Sequence, residues 1–362
     1  VSRGGVTTGT LGSVNRKMLL GALVLTVGVT GAACVGAAGG PAPGTAPSTV
    51  PTTAAPPEAS PYPAGFDVEG HRGARGLKPE NTLPAFEAGL DAGVTTLELD
   101  LHYSADGEIV IWHDPMVDAS KCGLKPGAPS QIPDPDDAGS PEDDARAIRS
   151  LSVDDLRWFR CNRNPDPDAF PDQDPAPTPL AGDEYGIVTL DDLFDFVDRY
   201  ADSETKTDAQ RAGARVVQFN IETKRDRRDP AAIGDGFDGE TVGPFEQRLL
   251  QVVDERGLRD RVIIQSFDIR SLQAIDAADP GIRLAVLTAT GHAALPAFAD
   301  TRPVVWSPRA STVDAASVDA AHAGGHTVVP WTVNDVEEAE RLIELGVDGL
   351  ITDRPDLLVA QQ

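Results

Sequence analysis

From Phe66 onward, short β-branched runs alternate with helical patterns, and this alternation limits the chain to few architectures. The candidate strands are Phe66–His71, Thr96–Leu101, Ile109–His113, Val216–Glu222, Val262–Phe267, Arg283–Leu287, Val304–Trp306, Thr327–Trp331 and Gly349–Thr352. Helical patterns fall between them at Thr82–Ala92, Leu190–Tyr200, Pro244–Glu255, Ser271–Ala277, Val313–Ala323 and Val336–Leu345. Strands separated by helices favour a parallel sheet, because a parallel crossover needs room that a helix fills. The expected class is α/β, as a (β/α)8 barrel. Nine strand candidates are one more than a closed barrel of eight needs, and Val304–Trp306 is the weakest.

The stretch 117–186, rich in Pro, Asp and Gly, breaks the rhythm and reads as a long insertion on one loop, after the third strand. Ser152–Phe159 is a short helical pattern within it. Cys122 and Cys161 both lie in the insertion and are expected to form a disulfide, provided the chain is exported. Asp166, Asp168, Asp172 and Asp174 are spaced like calcium ligands, but Pro171 stands where such a loop needs Gly, so a solvated acidic loop is expected.

Residues 1–65 do not belong to this pattern. Arg16 and Lys17 precede an uncharged segment, residues 18–33, which ends at Cys34. A basic stretch, a short apolar run and small residues read as an export signal over 1–34. Gly31, Ala32 and Ala33 before Cys34 resemble a lipoprotein signal, although Gly31 stands where Leu is usual; lipidation, an uncleaved anchor and plain secretion remain open. Residues 35–65, rich in Gly, Ala, Pro, Ser and Thr with a single charge, Glu58, read as a tether. Residues 66–362 then hold 28 basic and 56 acidic side chains. Such a surface argues against nonspecific nucleic-acid binding, which requires cationic surface. Three cysteines in the chain exclude a disulfide-dense scaffold and a multi-cysteine zinc domain.

Four polar sets fall at strand ends. Gly70-His71-Arg72-Gly73 places a proton-transfer group beside a planar cationic fork that suits phosphate. In Leu97-Glu98-Leu99-Asp100, the two carboxylates project to one face and the leucines to the other. Two such carboxylates on a buried strand repel each other, and a divalent cation would relieve the repulsion. Trp112-His113-Asp114-Pro115 supplies a second imidazole. In Phe219-Asn220-Ile221-Glu222-Thr223-Lys224, Glu222 could hold a cation and Lys224 a phosphate. The carboxyl ends of barrel strands form one face, where active sites lie, so these groups should converge. Oxygen-only ligands point to Ca2+ or Mg2+.

HRGARGLKPENTLPAFEAGLDAG, LELDLHYSADGEIVIWHD, IETK, SFD, WTVN and GVDGLITDRP occur in this order. Together they resemble the glycerophosphodiester phosphodiesterases from about Gly70 to Pro355. The resemblance implies a TIM barrel that hydrolyses glycerophosphodiesters to glycerol 3-phosphate and an alcohol. It implies His71 and His113 as the acid/base pair, Glu98, Asp100 and Glu222 as metal ligands, and Arg72 and Lys224 as phosphate contacts. It also implies Phe267 and Trp331 as walls of the glycerol end. Pro79-Glu80-Asn81-Thr82 matches too; Asn81 or Thr82 is expected to cap the next helix, and Glu80 to hold the loop around His71.

The remaining histidines are read as structural. His102 is expected to point away from Glu98 and Asp100; His292 and His322 match no motif, and His326 lies at the opposite end of the barrel. Trp306 is expected in the core. A barrel phospholipase-type phosphodiesterase and a noncatalytic binding lipoprotein are the alternatives. The acidic insertion offers little apolar rim for intact phospholipid, and a dead scaffold would be expected to have lost some of these seven polar groups. The expected partner is a small glycerophosphodiester, with no nucleic acid, and with membrane contact only through an N-terminal anchor on an exported chain.

Overall fold

The computed structural model describes residues 63–137, 143–291, 295, 297–300 and 302–359. The export signal, Cys34, nearly all of the tether and His292 lie outside them. In chain order the strands are β1 (Asp67–Gly70), β2 (Thr96–Tyr103), β3 (Ile109–Ile111), β4 (Gly123–Leu124), β5 (Phe159–Arg160), β6 (Val188–Thr189), β7 (Gln218–Thr223), β8 (Val262–Ser266), β9 (Arg283–Thr288), β10 (Val305–Pro308), β11 (Thr327–Val328) and β12 (Gly349–Thr352). Eight of them run in the order β11-β10-β9-β8-β7-β2-β1-β12 with parallel pairing throughout. The ring closes between β11 and β12, where the Asp348 N–H donates to the Val328 carbonyl and the Ile351 N–H to that of Pro330, each at 2.9 Å. The fold is the (β/α)8 barrel that the alternation predicts.

The ninth candidate is β3, and not the run at Val304–Trp306. Ile109–Ile111 pairs antiparallel with β2, Leu101 facing Ile111 and Tyr103 facing Ile109. β10 is a full barrel strand, in register with β9 from Val305 to Pro308. Its shortness misleads, because a barrel strand buried on both faces needs only a few residues to be held. β2 is eight residues long. It runs beyond its neighbours, turns at 104–107, and returns as β3, so that the Trp112 N–H donates to the Asp100 carbonyl at 3.0 Å. That hairpin carries His113 back to the mouth.

The insertion follows β3, as expected, but stands between the second and third barrel strands. It is a folded lobe with its own apolar cluster. Val117, Ile132, Ile148, Leu156 and Phe159 pack there with Trp112 and with the bonded pair Cys122–Cys161, all buried. β4 and β5 pair beside the disulfide, and β6 adds to β3. At its far end the buried Glu87 accepts the N–H groups of Leu180, at 3.0 Å, and Ala181, at 2.7 Å. A helix at Asp208–Val216, absent from the strand–helix reading, completes that side.

Strand parity places the site. Leu97, Leu99 and Leu101 point outward into the main core with Leu193, Phe194, Phe219 and Phe245 from neighbouring elements, which leaves Glu98 and Asp100 facing the barrel interior. The helix Leu83–Ala92 starts at Thr82, whose hydroxyl accepts from the Ala85 N–H, and ends at Gly93 with φ 88°. Gly73 lets the loop after β1 pass over this helix: a Cβ there would lie 2.5 Å from the Ala85 carbonyl carbon, and its φ is +89°. Trp306 is fully buried, its indole N–H donating to Thr288 Oγ1 at 3.0 Å.

The disulfide spans 39 residues of the insertion. Replacing both cysteines by Ser should lower unfolding stability by about 2–4 kcal/mol, read as a shift of the urea midpoint of the oxidised chain. An unchanged midpoint would show that the bond carries no stability.

Candidate active site

Glu98 and Asp100 on β2 and Glu222 at the end of β7 meet at the barrel mouth, all buried. One ligand oxygen from each lies within 4.8 Å of the others, so a single cation can touch all three at its usual reach of about 2.3–2.6 Å. Burial, then the charges of Asp100 and Glu222, pushes Glu98 well above the ordinary carboxylate range. Glu222 is also raised, burial and Asp100 outweighing the nearby Lys224. Asp100 goes the other way: burial works against its ionisation, but Lys224 and Arg72 hold it ionised. The set is under-compensated, and a divalent cation fits it; the donors are all oxygen, which suits Ca2+ or Mg2+.

Cationic and amide groups brace these carboxylates. Lys224 Nζ lies 2.9 Å from Glu222 and 3.4 Å from Asp100. Arg72 Nε lies 3.2 Å from Asp100, and its backbone N–H donates to Glu98 at 2.9 Å. Arg72 sits at φ 52°, outside the range most residues adopt, and this conformation turns its N–H to the carboxylate. Asn81 donates to Asp100 at 2.8 Å, and Gln265 to Glu98 at 2.7 Å. Thr82 therefore caps the helix while Asn81 serves the site.

Both histidines are held through Nδ1. His71 donates from Nδ1 to Asp353 at 2.6 Å, which leaves Nε2 facing the carboxylates, 3.9 Å from Glu98. Burial lowers His71 to about 4 in spite of Asp353, so its imidazole is neutral at neutral pH. Asp353, although buried, is held below the ordinary range by His71 and Arg75; Arg75 lies at 2.7 Å and Asn334 donates to it at 2.7 Å. His113 donates to Asp114 at 2.7 Å, and Asp114 receives Lys121 at 2.5 Å.

His102 corrects an expectation. Residues 98, 100 and 102 share a face of β2, so His102 points to the same side as the two carboxylates. Its Nε2 donates to the backbone carbonyl of His113 at 3.1 Å, and burial lowers it to about 4. It fixes the backbone of the hairpin that carries His113. His322 pairs with Asp348 at 2.9 Å, and His326 accepts from the Val304 N–H at 3.3 Å, both away from the mouth.

His71, Arg72, Glu98, His113, Glu222, Lys224, Phe267 and Trp331 line one cavity of about 210 Å³, with Arg75, Gln265, Leu287, Thr332 and Ile351. Asp100 lies just beneath, 1% exposed. Phe267 and Trp331 meet edge to face, with ring centroids 5.5 Å apart. Arg72 is also committed to Glu80, its Nη1 lying 2.9 Å from both carboxylate oxygens.

A profile of the glycerophosphoryl diester phosphodiesterase family matches residues 71–357. The chain belongs to that family. It is 25% identical over 300 residues to a glycerophosphodiester phosphodiesterase of Caldanaerobacter subterraneus, covering 81% of this chain and 96% of the relative. It is 26% identical over 293 residues to one from Bacillus altitudinis, with 80% and 95% covered. Among solved structures, a provisionally named glycerophosphoryl diester phosphodiesterase from Silicibacter pomeroyi superposes with a TM-score of 0.62 at 25% identity, covering 82% and 93%. A phosphodiesterase from Oleispira antarctica, solved with its product sn-glycerol-3-phosphate, shares the fold with a TM-score of 0.56 at 19% identity, covering 82% and 96%. The chain is thus a phosphodiesterase built on the barrel of its family.

Several residues at this family site went unread in the sequence. Asp353 follows the last strand, and the rule that barrel sites gather at carboxyl strand ends was signal enough to find it. Lys121 had no such signal, because the insertion hides where it folds. It reaches Glu80 at 2.8 Å as well as Asp114, and so joins the loop around Arg72 to the loop of His113.

Glu80 makes an acid-stability test. Burial alone would raise it, yet Arg72, Lys121 and Arg75 hold it down to about 2. A depressed carboxylate contributes stability that is complete above its unfolded value near 4.5 and is lost as the pH falls towards 2. Between those limits Glu80→Gln should lose less stability than the parent chain, as read by urea unfolding at each pH. Parallel curves would show that Glu80 is not held down.

Proposed function

We propose that the chain hydrolyses glycerophosphodiesters to glycerol 3-phosphate and an alcohol, in a divalent-cation-dependent reaction. The observation that carries this reading is the meeting of Glu98, Asp100 and Glu222 with two carboxylate-anchored histidines, Arg72 and Lys224 around one cavity. The names of the relatives and the product bound to the Oleispira phosphodiesterase support the choice of substrate.

A bound cation, Ca2+ or Mg2+, would be held by Glu98, Asp100 and Glu222 and would supply Lewis acidity towards the phosphoryl oxygens. Attack on a phosphodiester builds negative charge on those oxygens, and Arg72 and Lys224 line the pocket where this charge develops. His71 and His113 act as the proton-transfer pair: one takes the proton of the nucleophile, the other returns one to the leaving alkoxide. Asp353 and Asp114 set which ring nitrogen is free in each, leaving Nε2 as the working atom. The nucleophile is water or the glycerol 2-hydroxyl. Phe267 and Trp331 form the apolar wall against which the glycerol carbons pack.

The reading extends to location. Residues 1–34 carry an export pattern, and the buried cystine suits an oxidising compartment. We propose an exported enzyme, secreted or held at the outer face of a membrane through Cys34.

Incubation with glycerophosphocholine should release glycerol 3-phosphate, lose activity in EDTA, and regain it with Ca2+ or Mg2+. Phosphocholine release would point to a phospholipase-type cut, and no release to a noncatalytic scaffold. His71→Ala and His113→Ala should each lower kcat by roughly 10²–10⁴-fold with an unchanged far-ultraviolet spectrum. Asp353→Asn should fall between His71→Ala and the parent; full activity in a folded histidine variant would remove that histidine from the mechanism.

A further inference from the structure

The two histidines are anchored unequally. Asp353, which takes Nδ1 of His71, has its side chain 1% exposed and follows the last barrel strand, where Arg75 and Asn334 also bind it. Asp114, which takes Nδ1 of His113, is 29% exposed and adjoins that histidine in the chain. Holding a carboxylate at such a place in one rotamer costs entropy, which a single partner offsets poorly.

What holds Asp114 comes from the insertion. Its Oδ1 faces His113, and its Oδ2 receives Lys121 Nζ at 2.5 Å. The same ammonium lies 5.6 Å from the ring centroid of Trp112, so Lys121 meets both chain neighbours of His113. It also reaches Glu80 at 2.8 Å, yet Glu80 keeps Arg72 and Arg75 without it. The backbone of Lys121 is itself tied down. Its carbonyl accepts the Arg163 N–H at 3.1 Å, the Arg163 guanidinium donates to the Ala119 carbonyl at 2.6 Å, and Cys122 is bonded to Cys161. The ammonium is therefore delivered by a closed loop of the lobe, and its side chain is only 14% exposed.

We propose that Lys121 is a positioning residue for His113: by pinning Asp114 it fixes how the imidazole presents Nε2, and supplying it is a function of the insertion. This rests on the proposed function and adds a residue to its proton-transfer half. Neither Lys121 nor Asp114 is among the described residues that line the catalytic cavity, so an effect of Lys121 on turnover has to pass through its neighbours. The effect falls on turnover and not on binding, because Arg72 retains Glu80 and Asp100 when the ammonium is removed.

The test follows glycerol 3-phosphate released from glycerophosphocholine by the full oxidised chain with its divalent cation. Lys121→Met and Lys121→Gln should each lower kcat by roughly 10- to 100-fold, with KM within about 2-fold of the parent and an unchanged far-ultraviolet spectrum. Asp114→Asn should fall at least as far. Adding Lys121→Met to it should then change kcat by less than about 2-fold, since two residues that act on one group are not additive. That comparison also stands if a single Lys121 variant fails to fold. Lys125→Met, in the same lobe and donating there to the Arg157 carbonyl at 2.7 Å, should leave both constants unchanged. Four outcomes overturn the proposal: kcat surviving in the folded Lys121 variants, a loss confined to KM, a loss as large in the Asp114→Asn chain as in the parent, or an equal loss in Lys125→Met. Each leaves the hydrolytic reading standing. No release by the parent chain overturns that reading instead.

Discussion

Three carboxylates that repel one another at the mouth of the barrel set the terms for much of what surrounds them. Glu98, Asp100 and Glu222 are buried within 4.8 Å of each other. Unpaired charge is costly to remove from water, so the neighbours are cations and amides. Lys224, Arg72, Asn81 and Gln265 each donate to this cluster or lie against it. The tension has not been fully discharged, since Glu98 and Glu222 stay raised. A site left short of positive charge is one prepared to receive it.

The polar layer continues downward. Asn220 donates to Glu69 at 2.7 Å and to Gln265 at 3.2 Å, and Gln265 passes on to Glu98. Glu69 is fully buried and raised well above its ordinary range, burial first and then Asp67. Burial at that depth works against a further negative charge beneath the three above it. One side of the barrel interior is thus a hydrogen-bonded column beneath the site, and the main apolar core lies outside the strands.

Much of this arrangement was legible because strand parity is a rigid rule. Leu97, Leu99 and Leu101 turn to the helices, so Glu98 and Asp100 have to turn inward. The same parity applied to His102 places it inward too, against the expectation drawn for it. The identity of the odd strand was harder to read. Ile109–Ile111 and Val305–Pro308 are both short apolar runs; what separates them is direction of pairing, which no local pattern encodes. Contacts made by the insertion were least legible of all. Lys121 sits 41 residues from Glu80, and only the folded lobe brings them together. A composition rich in Pro and Asp marks a long insertion on one loop, and does not show that Val117, Ile132, Ile148 and Phe159 give it a core.

Lys121 immediately precedes Cys122, whose bond to Cys161 closes the lobe. The ammonium that joins Glu80 to Asp114 is therefore presented by a covalently closed piece of chain, while the barrel beneath is held by strand pairing and burial. The lobe is thus held by a covalent bond as well as by its own apolar cluster. The placing of Asp114, and through it His113, is thereby linked to a covalent bond that the barrel strands do not share.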